Sequence, residues 1–123
     1  MSESDDLLDR GSRVRRQVLG DEHVERVLQD STPFGVEWQE FLTRHAWGAV
    51  WPRRGLDLRT RSCITVAMLI ALGRTEELAI HLRGALRNGV TREELREVLL
   101  HSAVYCGMPA ANSAVRVARD VLG

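Results

Sequence analysis

A histidine in a helix-forming stretch is the side chain best suited to chemistry in this sequence. His81 has Glu77 four positions before it, and the two share a face if the segment is helical. A carboxylate partner would orient the imidazole and favour its protonated form, which prepares it for proton transfer. Gly84 follows, and a mid-helix glycine costs about 1 kcal/mol against alanine, so another helix or a ligand is expected there. An ordinary surface helix pair is the alternative interpretation.

His101 and Tyr105 form a second pair with the same spacing. Ser102 and Cys106 flank them, and together these side chains could line a pocket. A histidine in the core with its hydrogen bonds satisfied is the more common explanation for such a pattern. Both interpretations stay open at this point.

Two tryptophans bracket a short segment that leads into a basic loop. Trp47 and Trp51 lie four residues apart, and Arg53 and Arg54 follow them. Indoles beside guanidinium groups could form an apolar wall with an anion clamp. Two core tryptophans and a solvated loop are the equally weighted alternative. Arg74 adds a further guanidinium at the start of the His81 segment.

Several other chemistries lack their residues. The four histidines show no metal-ligand spacing such as HxxxH, and there is no phosphate loop or GxSxG elbow. The chain has no lysine, which excludes Schiff-base chemistry. Cys63 and Cys106 lie in apolar runs without a CxxC pair, which predicts buried free thiols and no disulfide framework. No metal site is therefore expected.

The composition argues against nucleic acid and membranes as partners. The 123 residues carry 17 basic and 17 acidic side chains, a net charge of zero. Arg13, Arg15 and Arg16 form the densest basic cluster, but acidic neighbours surround it and predict a solvated helix face. The longest apolar run, residues 63–72, is too short to span a bilayer. The N-terminus is acidic and polar, unlike a signal peptide, and a cytoplasmic location is expected.

Helix-boundary signals recur along the whole chain, and no segment alternates as a strand would. The fold class predicted is all-α, a compact bundle of six to seven helices in one domain over residues 1–123. With their cap residues, the expected helices span about residues 5–19, 21–29, 32–48, 57–73, 75–88, 91–107 and 109–122. The fourth is apolar on nearly all sides over residues 66–72, which places it at the centre of a bundle or an oligomer.

Four segments resemble the gamma-carboxymuconolactone decarboxylases of aromatic catabolism. They are VRRQVLGDEHV, AWGAVWPRRGLD, RTRSCITVAMLIALGR and HLRGALRNGVTREELREVLLHSAVYCGMPAANSA, and the similarity extends from about Gly11 to Leu122. The resemblance implies an alkylhydroperoxidase-like all-α fold, a homo-oligomer (commonly a trimer or hexamer) and a reaction without a cofactor. The peroxidase branch of the family has a CxxC pair where this chain has Arg74 and Glu77, which excludes dithiol chemistry and indicates the decarboxylase branch.

The resemblance also implies a reaction in the beta-ketoadipate pathway for protocatechuate. An anionic lactone loses carbon dioxide, and the resulting dienolate is protonated to the enol-lactone of 3-oxoadipate. On this interpretation His81 is the general acid or oxyanion donor, and Glu77 orients it. Arg53 and Arg74 are the expected carboxylate clamps. The pocket would be shaped by Trp47 and Tyr105.

Two positions depart from the family pattern. The family usually has Glu where this chain has Ala49, and Pro where it has Arg54. An alternative is therefore a paralogue that acts on another carboxylated lactone or keto acid in a biosynthetic pathway. A second alternative is a non-catalytic oligomer that binds a small ligand.

Overall fold

Residues 2–123 are described by a computed structural model, and they form seven α-helices and one π-helix. The α-helices are α1 (Glu3–Leu19), α2 (Asp21–Gln29), α3 (Pro33–Leu42), α4 (Leu58–Leu72), α5 (Thr75–Arg87), α6 (Arg92–Cys106) and α7 (Met108–Leu122). The π-helix, Thr43–Val50, continues directly from α3. No strand occurs in residues 2–123, so the predicted all-α class is confirmed.

Side-chain capping bonds start α1 and α6, whereas α2, α3, α5 and α7 begin without one. The Thr91 hydroxyl accepts a hydrogen bond from the Glu94 backbone N–H (3.1 Å), and the Glu94 carboxylate accepts one from the Thr91 N–H (2.9 Å). This reciprocal capping box starts α6. Gly107 ends α6 with φ at 96°, a conformation that strongly favours glycine. The expected third helix differs, because its second half is π-helical.

The chain divides into two units, one that ends at Asp57 and one that spans Leu58–Gly123. In the first unit α1 packs against the π-helix at two glycines. A Cβ atom added to Gly11 would lie 2.0 Å from the Thr43 carbonyl oxygen, and one added to Gly48 would lie 2.3 Å from the Leu7 carbonyl oxygen. The two backbones therefore approach more closely than any side chain at these positions would allow.

In the second unit, four helices share one apolar core. Its fully buried members are Val66, Ile70, Leu78, Leu82, Ala85, Val90, Leu95 and Ala114. The single chain covers only part of α4, so the alternative that an oligomer buries its other face stays a prediction. Ile64, Met68 and Leu72 follow one another at helical spacing and are 37%, 59% and 67% exposed. The single chain thus has enough neighbouring helices to cover one side of α4, and leaves the other in solvent.

An ion pair joins α4 to the start of α6. The Arg59 guanidinium donates a hydrogen bond to the Glu94 carboxylate. That bond, with the Thr91 N–H bond as a second cause, lowers the pKa of Glu94 to about 2 from an ordinary 4.5. Because the folded state lowers this pKa, the stabilisation is complete above pH 4.5 and disappears as the pH falls to about 2.

We therefore expect Glu94→Gln to lower the free energy of unfolding at neutral pH. The loss should be smaller in acid. Glutamine keeps the cap but cannot carry the charge that pairs with Arg59. Urea unfolding of both proteins across this pH range measures the effect. The difference in unfolding free energy between the wild type and Glu94→Gln should become smaller as the pH falls from about 4.5 to about 2. A difference that is constant across the range would contradict the assignment.

Candidate functional site

The predicted catalytic pair lies on α5, where the apolar stripe positions it. Leu78, Leu82 and Ala85 are buried, and they hold one face of α5 against the core of the second unit. His81 lies at the edge of that stripe and is half-buried, with its Nδ1 atom shielded from solvent. Glu77 lies one turn earlier and is exposed. Because the segment is helical, the carboxylate and the imidazole share a face, as expected.

Arg74 lies at the N-cap of α5 and is exposed. The structure therefore brings three of the six predicted site residues, Arg74, Glu77 and His81, onto the first two turns of one helix. This group combines a guanidinium that can bind a carboxylate with a half-buried imidazole that can hold or move a proton. Their catalytic and binding roles stay predictions.

Tyr105 occupies a different position, on the exposed side of α6. It is 78% exposed, and its ring centroid lies 5.1 Å from that of His101. The expected pairing of these two rings is therefore confirmed. The alternative that His101 belongs to the core is wrong, because its side chain is exposed. Too few helices in the chain cover this side of α6 to bury it.

In the first unit, Trp47 and Trp51 form a stacked pair. Their ring centroids lie 4.8 Å apart with an angle of 21° between the planes, and they are 4% and 9% exposed. Both tryptophans are thus buried, as the core alternative has it. Arg53 and Arg54 are exposed in the loop that follows. These residues give the first unit a buried aromatic pair beside a basic loop.

The π-helix determines how the tryptophans are presented. Its wide turn is visible where the Trp51 N–H donates to the Ala46 carbonyl, five residues back, at 3.0 Å. The wide turn begins at Thr43, whose hydroxyl donates to the Gln39 carbonyl at 2.7 Å. Such a hydroxyl bond to the preceding turn is a known cause of helix distortion. π-Helical turns are rare and occur often at functional sites, so the turn favours a functional role for this segment.

Arg15 lies in a different place from the one that the sequence predicts. The sequence predicts a solvated helix face with Arg13 and Arg16, but the Arg15 side chain is only 4% exposed. Gly11, Arg15 and Val18 share the buried face of α1 at helical spacing. That spacing could have indicated the burial of Arg15, since the close approach at Gly11 brings the next turn of α1 against the π-helix. Arg13 is exposed and Arg16 half-buried, so the correction applies mainly to Arg15.

A groove of about 750 Å³ lies between α6 and α7. Its walls are mainly apolar, with guanidinium groups from Arg92, Arg96 and Arg119. The lining includes no imidazole, thiol or side-chain carboxylate, and none of the six predicted site residues. The groove therefore lacks the proton donors that the predicted chemistry requires.

The remaining expectations concern metals, thiols and membranes. Within residues 2–123 no cluster of three or more metal-ligating side chains occurs. Both cysteines are free thiols, but Cys63 is only half-buried and Cys106 is exposed, so their predicted burial is wrong. Among the helices of residues 2–123, none has the length and apolarity that a membrane span requires.

Comparison with known proteins identifies the family. Residues 37–120 match the model of the carboxymuconolactone decarboxylase family. The chain is 49% identical over 111 residues to 4-carboxymuconolactone decarboxylase of Acinetobacter baylyi, which covers 90% of this chain and 83% of that protein. It is 47% identical over 116 residues to nitrosuccinic acid decarboxylase of Metarhizium robertsii, which covers 94% of this chain and 81% of that protein.

A shorter match is to a second protein named 4-carboxymuconolactone decarboxylase. Over 40 residues the chain is 55% identical to 4-carboxymuconolactone decarboxylase of Pseudomonas putida, across 32% of this chain and 83% of that sequence. The matched family region contains α4 to α6 entire, and with them Arg74, Glu77, His81 and Tyr105. On these matches and on its helical fold, the chain belongs to the carboxymuconolactone decarboxylase family.

Proposed function

We propose that this carboxy-lyase removes carbon dioxide from gamma-carboxymuconolactone and forms the enol-lactone of 3-oxoadipate in the beta-ketoadipate pathway. The observation that carries the proposal is the 49% identity to the Acinetobacter enzyme across 90% of this chain. The half-buried His81 on α5, with Glu77 one turn away, is consistent with a reaction that needs a positioned proton.

The proposed mechanism needs three contributions from the protein. The bond between the gamma carbon and its carboxylate breaks, and its electron pair moves through the ring double bond into the lactone carbonyl. A hydrogen-bond donor stabilises the resulting dienolate oxygen, and a proton is then delivered to the alpha carbon. We assign proton delivery, or the oxyanion contact, to His81, with Glu77 as its positioning residue. Arg53 and Arg74 are proposed as carboxylate clamps for the substrate.

A second substrate is favoured by a specific observation. The Metarhizium protein named for nitrosuccinic acid is almost as similar, with 47% identity over 94% of this chain and 81% of that protein. In both compounds an electron-withdrawing group, a conjugated lactone carbonyl or a nitro group, can hold the electron pair left by carbon dioxide. The departures at Ala49 and Arg54 are consistent with a changed substrate. Nitrosuccinic acid, or a related activated carboxylic acid, is therefore the second candidate.

The two candidates are separated by measuring carbon dioxide release from each acid by the purified protein. We expect kcat/KM to be higher for the lactone by at least about tenfold, which corresponds to roughly 1.4 kcal/mol of differential transition-state stabilisation. A preference for nitrosuccinic acid would replace the first candidate with the second. Binding of either acid without turnover would instead support a small-ligand binder.

We also propose that the chain acts as a homo-oligomer, a trimer or hexamer. Apolar side chains remain exposed at helical spacing on α4, where Met68 and Leu72 are more than half exposed. On α3, Phe34, Trp38 and Phe41 are 96%, 58% and 54% exposed. Exposed apolar surface of this kind is typical of protein interfaces. Sedimentation equilibrium should give three or six chains per particle, and a monomer would contradict the proposal.

A further inference from the structure

The first unit contains a buried positive charge without an anionic partner. Arg15 is 4% exposed, and its Nε atom is buried without a hydrogen-bond acceptor. Within residues 2–123 its one side-chain hydrogen bond runs from Nη1 to the Thr43 hydroxyl at 3.2 Å. No carboxylate among residues 2–123 forms an ion pair with it. A buried charge is normally compensated by an opposite charge, because removal from water is costly.

The neighbouring arginine shows the contrast. Arg16 pairs with Glu25 at 2.7 Å and with Asp21 at 3.3 Å. Burial lowers the pKa of Arg15, and the adjacent charge of Arg16 lowers it further. The pKa of Arg16 is instead raised by its interactions with Glu25 and Asp21. The surroundings of Arg15 therefore disfavour its charge. A guanidinium retained in such a place is suited to an anion that arrives from outside.

Two further groups show that the position is built around hydrogen bonding. The Thr43 hydroxyl donates to the Gln39 carbonyl, so it accepts from Arg15 and holds the guanidinium in one orientation. The Gln39 Oε1 atom is itself buried and without a hydrogen-bond partner. Unfilled buried polar atoms are few in folded proteins, and each requires an explanation. Here two of them belong to Arg15 and Gln39, residues that both form a hydrogen bond with the Thr43 hydroxyl through other atoms.

We propose that Arg15, held by Thr43, is a carboxylate-binding residue for the substrate. A guanidinium presents a planar set of N–H donors that matches a carboxylate, which selects this chemistry over a neutral ligand. The inference rests on the proposed function in one respect, since the substrate of a decarboxylase carries a carboxylate. Arg15 lies outside residues 37–120, the region that matches the family model.

The carboxylate at Arg15 is the one that the product keeps. The departing carboxylate becomes neutral carbon dioxide, so a strong ion pair to it would stabilise the substrate more than the transition state and slow the reaction. A carboxylate that remains charged throughout is bound equally in both states. Loss of Arg15 should therefore raise KM and leave kcat nearly unchanged.

The test compares Arg15→Met with Arg16→Met in the 123-residue chain, with succinate as the probe. We expect succinate to raise the melting temperature of the wild type and of Arg16→Met, but not that of Arg15→Met. Without succinate, Arg15→Met should be at least as stable as the wild type, because methionine removes an uncompensated buried charge. On whichever acid the wild type decarboxylates, Arg15→Met should raise KM by about 10- to 100-fold, the effect of one charge-assisted hydrogen bond.

A lowered melting temperature in Arg15→Met with an unchanged response to succinate would overturn the inference, since Arg15 would then be structural. No response to succinate in the wild type would overturn it as well. Arg15→Lys keeps the charge without the planar fork, and should retain part of the succinate response. The succinate measurement does not depend on turnover, so failure of the proposed decarboxylation and failure of this inference give different results.

Discussion

Replacing His81 with alanine is expected to lower kcat for decarboxylation by roughly 10²- to 10⁴-fold, the usual contribution of a positioned general acid. The half-buried imidazole lies at the edge of the apolar stripe of α5, where it is partly withdrawn from water. Alanine removes the ring but keeps the helix, since alanine has the highest helix propensity. The measurement is single-turnover kinetics with the preferred acid, alongside circular dichroism to verify the fold.

A glutamine at position 81 distinguishes the two roles proposed for the histidine. Its amide can donate a hydrogen bond to a dienolate oxygen, but it cannot deliver a proton. If His81 is the general acid, His81→Gln should be as slow as His81→Ala. If His81 stabilises the oxyanion, His81→Gln should recover part of the rate. His101→Gln is the matched control, because His101 is exposed on α6 beside Tyr105. Wild-type turnover in both His81 variants would exclude this residue from the mechanism.

Replacing Gly11 with alanine is expected to cost the first unit roughly 3 kcal/mol or more, at or above the upper end of the cost of overpacking. The new Cβ would lie 2.0 Å from the Thr43 carbonyl oxygen and 2.9 Å from the Gly48 nitrogen. Both are backbone atoms, so no side-chain rotation relieves the clash, and α1 must separate from the π-helix. Urea unfolding followed by tryptophan fluorescence measures the loss, since Trp47 and Trp51 are buried in this unit.

Gly55→Ala is the control for this prediction. No atom lies within 4 Å of a Cβ at Gly55, so its unfolding free energy should change by less than about 0.5 kcal/mol. Equal unfolding midpoints for Gly11→Ala and Gly55→Ala would show that the close approach of α1 and the π-helix is absent in solution. Separation of these helices should also move Arg15 away from Thr43. The increase in melting temperature with succinate should then be lost.

Helix positions were largely predictable because their signals are local. Thr91 with Glu94, and Gly107, act through atoms a few residues away, so α6 begins and ends where the sequence predicts. The spacing of Glu77 and His81 follows from helical geometry in the same way. The family could also be inferred from sequence, since its motif residues are read directly.

The sequence by itself determined the fold class, most helix boundaries and the position of Glu77 one turn before His81 on α5, because each depends on short-range geometry. Tertiary structure decided which side of each helix is covered. It buried Arg15, exposed Met68 and Cys106, and gave Thr43–Val50 its π-helical turn. These outcomes depend on contacts between segments far apart in the chain, such as Gly11 with Thr43, and local propensity carries no information about such contacts.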